Sequence, residues 1–463
     1  MKHLLENTHK LKIAMIVNDM AELNIDAALV RRKGAEISKT QGEDGKMVEL
    51  DNGCICCSLR PNMVKEISRL TKMSRFDYIV IESSGICEPM PIAEAFFEEN
   101  EDDTTEGGNL TTGQAMGILN EMARLDTMVT VVDATRFWEY LNSLQSLIEH
   151  YGKEKINEGE DGKRSIAELL VDQVEFANVI LVNKTDLITK DISQPKDALS
   201  KIRGVIKALN PSAEIMETSY SKIDTSKVLS TGLFDLDNSK LSAGWAQALN
   251  QGAESKSDKK KPVKATTKST NMGSTSTHKG HGHGHGHGHG HGHGQGHGHA
   301  HRRRTLQAHK HGDHYGITSF VYRRRRPFHP VRLYELLGDK KGIKTSLRSK
   351  GFCWIASRHD TLIEWNMAGK ICTLESGGGW YVDDPDLKEE LKDEPEILAK
   401  ILADFQEPWG DRRIELVIIG VDMDQKAIER ALDECLLSEK EVKAGSKEWA
   451  KYEDKFPKFP DEE

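Results

Sequence analysis

Three cysteines, Cys54, Cys56 and Cys57, crowd into the ten residues DNGCICCSLR at 51–60. Adjacent Cys56 and Cys57 make a poor structural disulfide, because neighbouring side chains diverge and a bridge strains the backbone. Metal binding is therefore the stronger reading; redox chemistry and a plain buried apolar cluster are the alternatives. The cluster follows the apolar MVEL and precedes SLRPNMVKEISRL, which has helical spacing. Free amides and the dipole at a helix start favour thiolate, the metal-binding form. Thiolate sulfur prefers Zn2+ or Cu+. Two or three sulfurs leave the shell incomplete, and Glu49, a remote residue or a transferred ligand can complete it.

A second chemistry is written in NKTD at 183–186, directly after the apolar VILV. A carboxylate there can accept two hydrogen bonds from the ring N–H and exocyclic amine of guanine, which adenine does not offer. Asp186 is the selecting group, and Asn183 and Lys184 brace the loop and ring. The plainer alternative is a strand-to-helix turn. YIVIESSG (78–85) places Glu82 and Gly85 where a strand-end carboxylate can orient Mg2+ or its water and a glycine can admit a γ-phosphate. The tract HGHGHGHGHGHGHGQGHGHAH (281–301), beginning with His281, His283 and His285, supplies neutral imidazoles that bind Zn2+, Ni2+, Co2+ and Cu2+. A spacer without a role is the alternative there.

Positioning these groups requires strands. LKIAMIVND (11–19), YIVIESSG, MVTVVDAT (128–135) and ANVILVNKTD (177–186) are short, continuous apolar runs separated by helical stretches. That pattern predicts a parallel sheet covered on both faces, with ligands at the carboxyl ends of its strands. After the linker, GITSFVYRRRRPFHPVRLYELLG reads as strand, turn and helix, and GFCWIASR and GKICTLES as strands. RIELVIIGVDMDQKAIERALDECLL reads as a strand, then a helix with Leu432, Leu436 and Leu437 on one face. The arginines of YRRRR are expected to contact neighbouring elements rather than nucleic acid, since no aromatic stacking pattern accompanies them.

Composition narrows the class. The 463 residues carry a net charge of −9, which disfavours a general nucleic-acid role. No window is apolar enough to span a membrane. Seven cysteines at low density point to reduced thiols in a cytoplasm-like compartment. Cys87, Cys353, Cys372 and Cys435 are isolated and expected in or near the core. Residues 246–313 have almost no apolar content and predict a disordered linker between 1–245 and 314–463.

In this order, VNDMAELNIDAALV, NGCICCSLR, IVIESSGICEP, VVDA, LVNKTD, a His-rich linker and VYRRRRPFHPVRLYELL, the chain resembles the CobW-type metallochaperone GTPases. The resemblance covers most of both ordered parts, and its Cys-x-Cys-Cys after Asn-Gly is specific. It implies an α/β fold: a P-loop-GTPase-like, mostly parallel sheet with a smaller C-terminal α/β domain. It further implies a GTP hydrolase that binds zinc at the cysteine motif and delivers it to a client metalloprotein. Cys54, Cys56 and Cys57 match the metal motif. Glu82 and Gly85 match the Walker-B-like segment, and Asn183, Lys184 and Asp186 the guanine motif. Asn18, Asp19, Glu22 and Asp26 match the switch-like segment, and Phe328, Pro330 and Arg332 the C-terminal signature. The implied ligands are Zn2+, GTP and Mg2+. One departure matters. No G-x-x-x-x-G-K-[ST] occurs in these residues, and Met1 falls within what should be the helix after that loop, so the first strand and phosphate cradle are expected to be missing here, either because the sequence is a truncated or short form of a competent GTPase or because it is a nucleotide-poor variant. Two rival functions remain: a non-enzymatic metal buffer or store, and cobalt handling for corrinoid synthesis.

Overall fold

The computed structural model describes residues 3–4, 11–17, 60–73, 76–83, 85–87, 89–94, 96, 123–152, 160–190, 195–236, 243, 316–339, 343, 345–392 and 394–459, and as backbone 37–38 and 47–49. Cys54, Cys56, Cys57, Asn18, Asp19, Glu22, Asp26, His281, His283 and His285 lie outside the described residues.

The expected parallel strands form, in two pieces. β1 (Ile13–Val17), β2 (Ile37–Ser38), β3 (Met47–Glu49) and β4 (Tyr78–Glu82) make a parallel sheet of order β2-β3-β1-β4. β5 (Val129–Asp133), β6 (Val179–Asn183) and β7 (Glu214–Glu217) make another, of order β5-β6-β7. β6 is central and reads VILVN; its four aliphatic side chains are fully buried, each worth about 1.5–3 kcal/mol. The break falls between β4 and β5. Val129 and Val131 of β5 are exposed. The two pieces still share a core, in which Ile13, Met15 and Val80 meet Val179, Leu181, Val228 and Leu229.

α1 (Arg60–Lys72) starts with Pro61 in its first turn and buries Ile67 and Leu70 against Ala14 and Ile16. α2 (Ile166–Glu175) is capped by Ser165, whose Oγ accepts from Glu168 N. α3 (Thr185–Lys190) and α4 (Ala198–Leu209) follow β6. Asn210, at the end of α4, donates to the carbonyls of Val174, Glu175 and Ala177, and so pins the end of α2 just before β6.

The remainder is built on an antiparallel sheet of order β11-β10-β9-β12-β8. Its strands are β8 (Ile317–Arg324), β9 (Ser346–Cys353), β10 (Thr361–Ala368), β11 (Ile371–Gly379) and β12 (Ile414–Val421). α5 (Pro330–Asp339), α6 (Pro395–Ala403) and α7 (Gln425–Glu434) accompany it. Tyr322, Phe328, Trp354, Trp365 and Trp449 fill its core. Gly351 is obligatory on β9: its φ is +146°, and a Cβ would meet Glu415 O at 2.1 Å.

Three expectations need correction. The strand read in GFCWIASR ends at Cys353; Trp354 and Ile355 turn inward and residues 356–358 form a 3-10 turn. α7 stops at Glu434, so Leu436 and Leu437 are buried beyond the helix rather than on its face. The small C-terminal part carries an antiparallel sheet, with β10 unanticipated. Cys87, Cys353 and Cys435 are buried and Cys372 half-buried, as anticipated. No helix among the described residues is long and apolar enough to cross a membrane.

Arg348 on β9 is fully buried. Its Nε and Nη2 donate to the two carboxylate oxygens of Glu175 on α2 at 2.8 and 2.9 Å. Asp172 stands 3.8 Å away and also receives Arg164. The antiparallel sheet is thereby tied to the helix that leads into β6.

Candidate functional site

The chemistry-bearing residues that are described gather at carboxyl strand ends. Across the first sheet, Val17 is in register with both Glu49 of β3 and Glu82 of β4, so these carboxylate-bearing positions flank one row. Glu49 and Arg60 bound the segment that contains the three cysteines. Gly85 follows β4 on an exposed turn, and a Cβ there would meet nothing within 4 Å. Gln173 of α2 reaches this turn, donating to Gly85 O and Cys87 O at 3.0 and 3.1 Å.

Across the second sheet, Asp133 of β5 is in register with Asn183 of β6. The chain turns sharply at Lys184, whose φ is +62°. A non-glycine residue in the left-handed region is strained by about 1–2 kcal/mol. The Lys184 ammonium offsets this by donating to Asp133 Oδ2 at 2.7 Å. Thr135 N and Oγ1 donate to the other oxygen of Asp133. Burial raises the Asp133 pKa, but the Lys184 and Thr135 donors outweigh it and hold the carboxyl below its ordinary value.

Asn183 acts within the protein. Its Oδ1 accepts from Thr218 Oγ1 at 3.1 Å and from Ser221 N at 2.9 Å. Thr185 donates to Thr218 O through both N and Oγ1, and Asp186 N donates to Ser219 Oγ. The loop after β7, Thr218–Ser221, is thus the second wall of the site, with Tyr220 and Ser221 both at positive φ. Sequence reasoning missed it; a run of hydroxyl residues, TSYS, after a short strand was the only local signal.

Asp186 is different. It sits in the first turn of α3 with its side chain 19% exposed. Among the described residues its carboxylate accepts no hydrogen bond, and its ion-pair partner is Lys190 at 3.9 Å. A braced, half-buried carboxylate with open acceptor capacity can take two donors from a ligand edge.

Three of the four arginines at 323–326 have partners within the protein. Arg323 bonds to Glu415 opposite it on β12, Arg324 bonds bidentately to Asp433, and Arg325 donates to Gly410 O. No group of three His, Cys, Asp or Glu side chains able to hold a metal occurs among the described residues.

Residues 1–217 match the family model "CobW/HypB/UreG, nucleotide-binding domain", and residues 317–436 match "Cobalamin synthesis protein cobW C-terminal domain". The zinc-regulated GTPase metalloprotein activator 1 of Dictyostelium discoideum is 35% identical over 455 residues, 97% of this chain and 79% of that protein. The zinc chaperone CobW of a Sinorhizobium species is 30% identical over 193 residues, 40% of this chain and 47% of the relative, so the match spans about half that relative's length. The crystal structure of the Zn(II)-bound YjiA GTPase from E. coli covers 92% of this chain and 99% of its own, at 14% identity and a TM-score of 0.30.

Proposed function

Because the chain belongs to the CobW family of zinc-regulated GTPase metalloprotein activators, we propose that it is a zinc chaperone whose metal affinity is governed by guanine nucleotide. Zinc is the cargo. Cys54, Cys56 and Cys57 take it as thiolates, with Glu49 or a client ligand completing the shell. The client is a metalloprotein that receives the ion, and His281, His283 and His285 begin a weaker reserve in the linker. We divide the chain at 1–245, 246–313 and 314–463 accordingly.

The single observation that supports the nucleotide half is Asp186. Its open carboxylate, on a loop braced by Asn183 and Lys184, fits the donor edge of guanine. Glu82 and Gly85 are the candidates for the hydrolytic end, the first to orient Mg2+ or its water and the second to admit a phosphate; Glu22 and Asp26 are the candidate switch contacts. When bound, GTP and Mg2+ would supply the free energy that switches the cysteine segment. On the phosphate side the fit fails, because the chain has no G-x-x-x-x-G-K-[ST]. No hydrolytic step is assigned to residues 1–463.

The test compares this chain with one extended upstream by a strand and a G-x-x-x-x-G-K-[ST] segment. Three or four missing charge-assisted hydrogen bonds, each worth about 1.5–3 kcal/mol, weaken binding by several orders of magnitude. Residues 1–463 should show no appreciable turnover at micromolar GTP, and the extended chain should hydrolyse it. An inactive, well-folded extended chain would sink the GTPase reading. Turnover by residues 1–463 that is lost on mutating Asp186 would overturn the phosphate argument while supporting the guanine site. One rival, a non-enzymatic metal buffer, predicts zinc binding indifferent to nucleotide in both chains.

A further inference from the structure

α6 is an apolar helix that the described residues cover only in part. Its sequence PEILAKILA places Ile397, Leu398, Ile401 and Leu402 on one face, continued by Phe405. None of its residues is buried; Ile397 is 45% and Leu402 37% exposed. None of these five side chains packs against a buried cluster of the described residues. A helix of nine residues is marginal by itself, and helices in proteins are held chiefly by burial of an apolar face. Here the helix is anchored from its C-terminal end instead: Asp404 pairs with Arg413 at 3.0 Å and with Arg325 at 3.9 Å. Tyr381 is 49% exposed. It lies in the turn whose Val382 faces Gly410 and whose Tyr381 N–H donates to Asp411, beside the loop after α6.

The segment that leads into this helix is predominantly acidic. Residues 383–396 hold eight carboxylates against two lysines. Glu390, Glu394 and Glu396 are exposed and form no ion pair among the described residues. An apolar face beside an acidic segment repels an anionic membrane, and it repels a second copy of itself. It suits an amphipathic segment with lysines or arginines flanking its apolar residues.

We propose that the exposed face of α6 is the docking site for a basic amphipathic helix of a partner protein. The proposal does not rest on the nucleotide or cysteine residues, and its test needs neither ligand.

The experiment uses the full chain and fluorescence anisotropy with two labelled fourteen-residue model peptides, one built of Leu and Lys and one of Leu and Glu at the same spacing. The Leu/Lys peptide should bind at least about tenfold more tightly than the Leu/Glu peptide, with an affinity that falls as salt rises. Ile397→Glu with Leu402→Glu should weaken it about tenfold or more while leaving the melting curve unchanged, since those side chains support no core. This variant adds negative charge, so merely electrostatic attachment of a cationic peptide would tighten instead and would overturn the proposal. Glu390→Gln, Glu394→Gln and Glu396→Gln together leave the apolar face intact and should weaken the Leu/Lys peptide alone. Equal binding of the two peptides, or no binding by either, also overturns it. So does concentration-dependent dimerisation abolished by the Ile397 and Leu402 changes, which would give the face to a second copy.

Discussion

Replacing Arg348 by Met should cost more than any surface change, and the cost should depend on pH in a stated direction. Arg348 is 0% and Glu175 1% exposed, and two hydrogen bonds join them. Met fills similar volume but leaves Glu175 buried without its cation. Breaking a buried pair from one side costs about 3–5 kcal/mol. At about 2–4 °C per kcal/mol for a unit of this size, the melting temperature should fall by roughly 6–20 °C. Burial already presses the Glu175 carboxyl above its ordinary range, with Arg348 opposing. Without the guanidinium that upward shift grows. A carboxyl whose folded pKa exceeds its unfolded value stabilises the fold below the unfolded value and loses that contribution as pH rises through the folded one. The deficit against wild type should therefore be smallest near about pH 4–5 and largest above about pH 7. Adding Glu175→Gln removes the buried charge and should recover about half the loss or more at neutral pH. Differential scanning calorimetry across pH reads the wild type and both variants. A pH-independent deficit, or a double variant no better than the single one, would refute the buried-charge reasoning.

Asp186→Asn, made in the upstream-extended chain, should erase guanine-over-adenine preference by about two orders of magnitude or more, because two charge-assisted hydrogen bonds to the base edge are lost; competition between GTP and ATP for a fluorescent nucleotide measures it, and retained preference would remove Asp186 from the site. Deleting residues 278–301 should lower the number of zinc ions bound at saturation while changing the melting temperature of the metal-free protein little, since an alternating His/Gly tract contributes nothing to a core. A large drop in that temperature would show that the tract packs.

Strand-end placement was legible and tertiary closure was not. NKTD could be read because its four residues are contiguous and follow a continuous apolar strand. The Thr218–Ser221 wall could not, because Asn183 meets it only when the chain folds back 35 positions later. The buried Arg348–Glu175 pair joins residues 173 positions apart, and nothing in LRSKG distinguishes that arginine from a solvated one. β5 and β6 announced themselves as Val/Ile runs. β10 hid, because Glu364 and Asn366 alternate with the buried Ile363, Trp365 and Met367 in a half-solvated strand. Leu436 and Leu437 kept helical spacing in sequence, but the chain leaves the helix at Glu434 and carries them into the same core.

The central claim is that the crowded thiols hold the transferable zinc. Chelator competition on the full chain, wild type against Cys54→Ser/Cys56→Ser/Cys57→Ser, tests it most directly. The tightest zinc class should disappear from the triple variant while weaker binding by the histidine tract persists. An unchanged tight class would contradict the assignment.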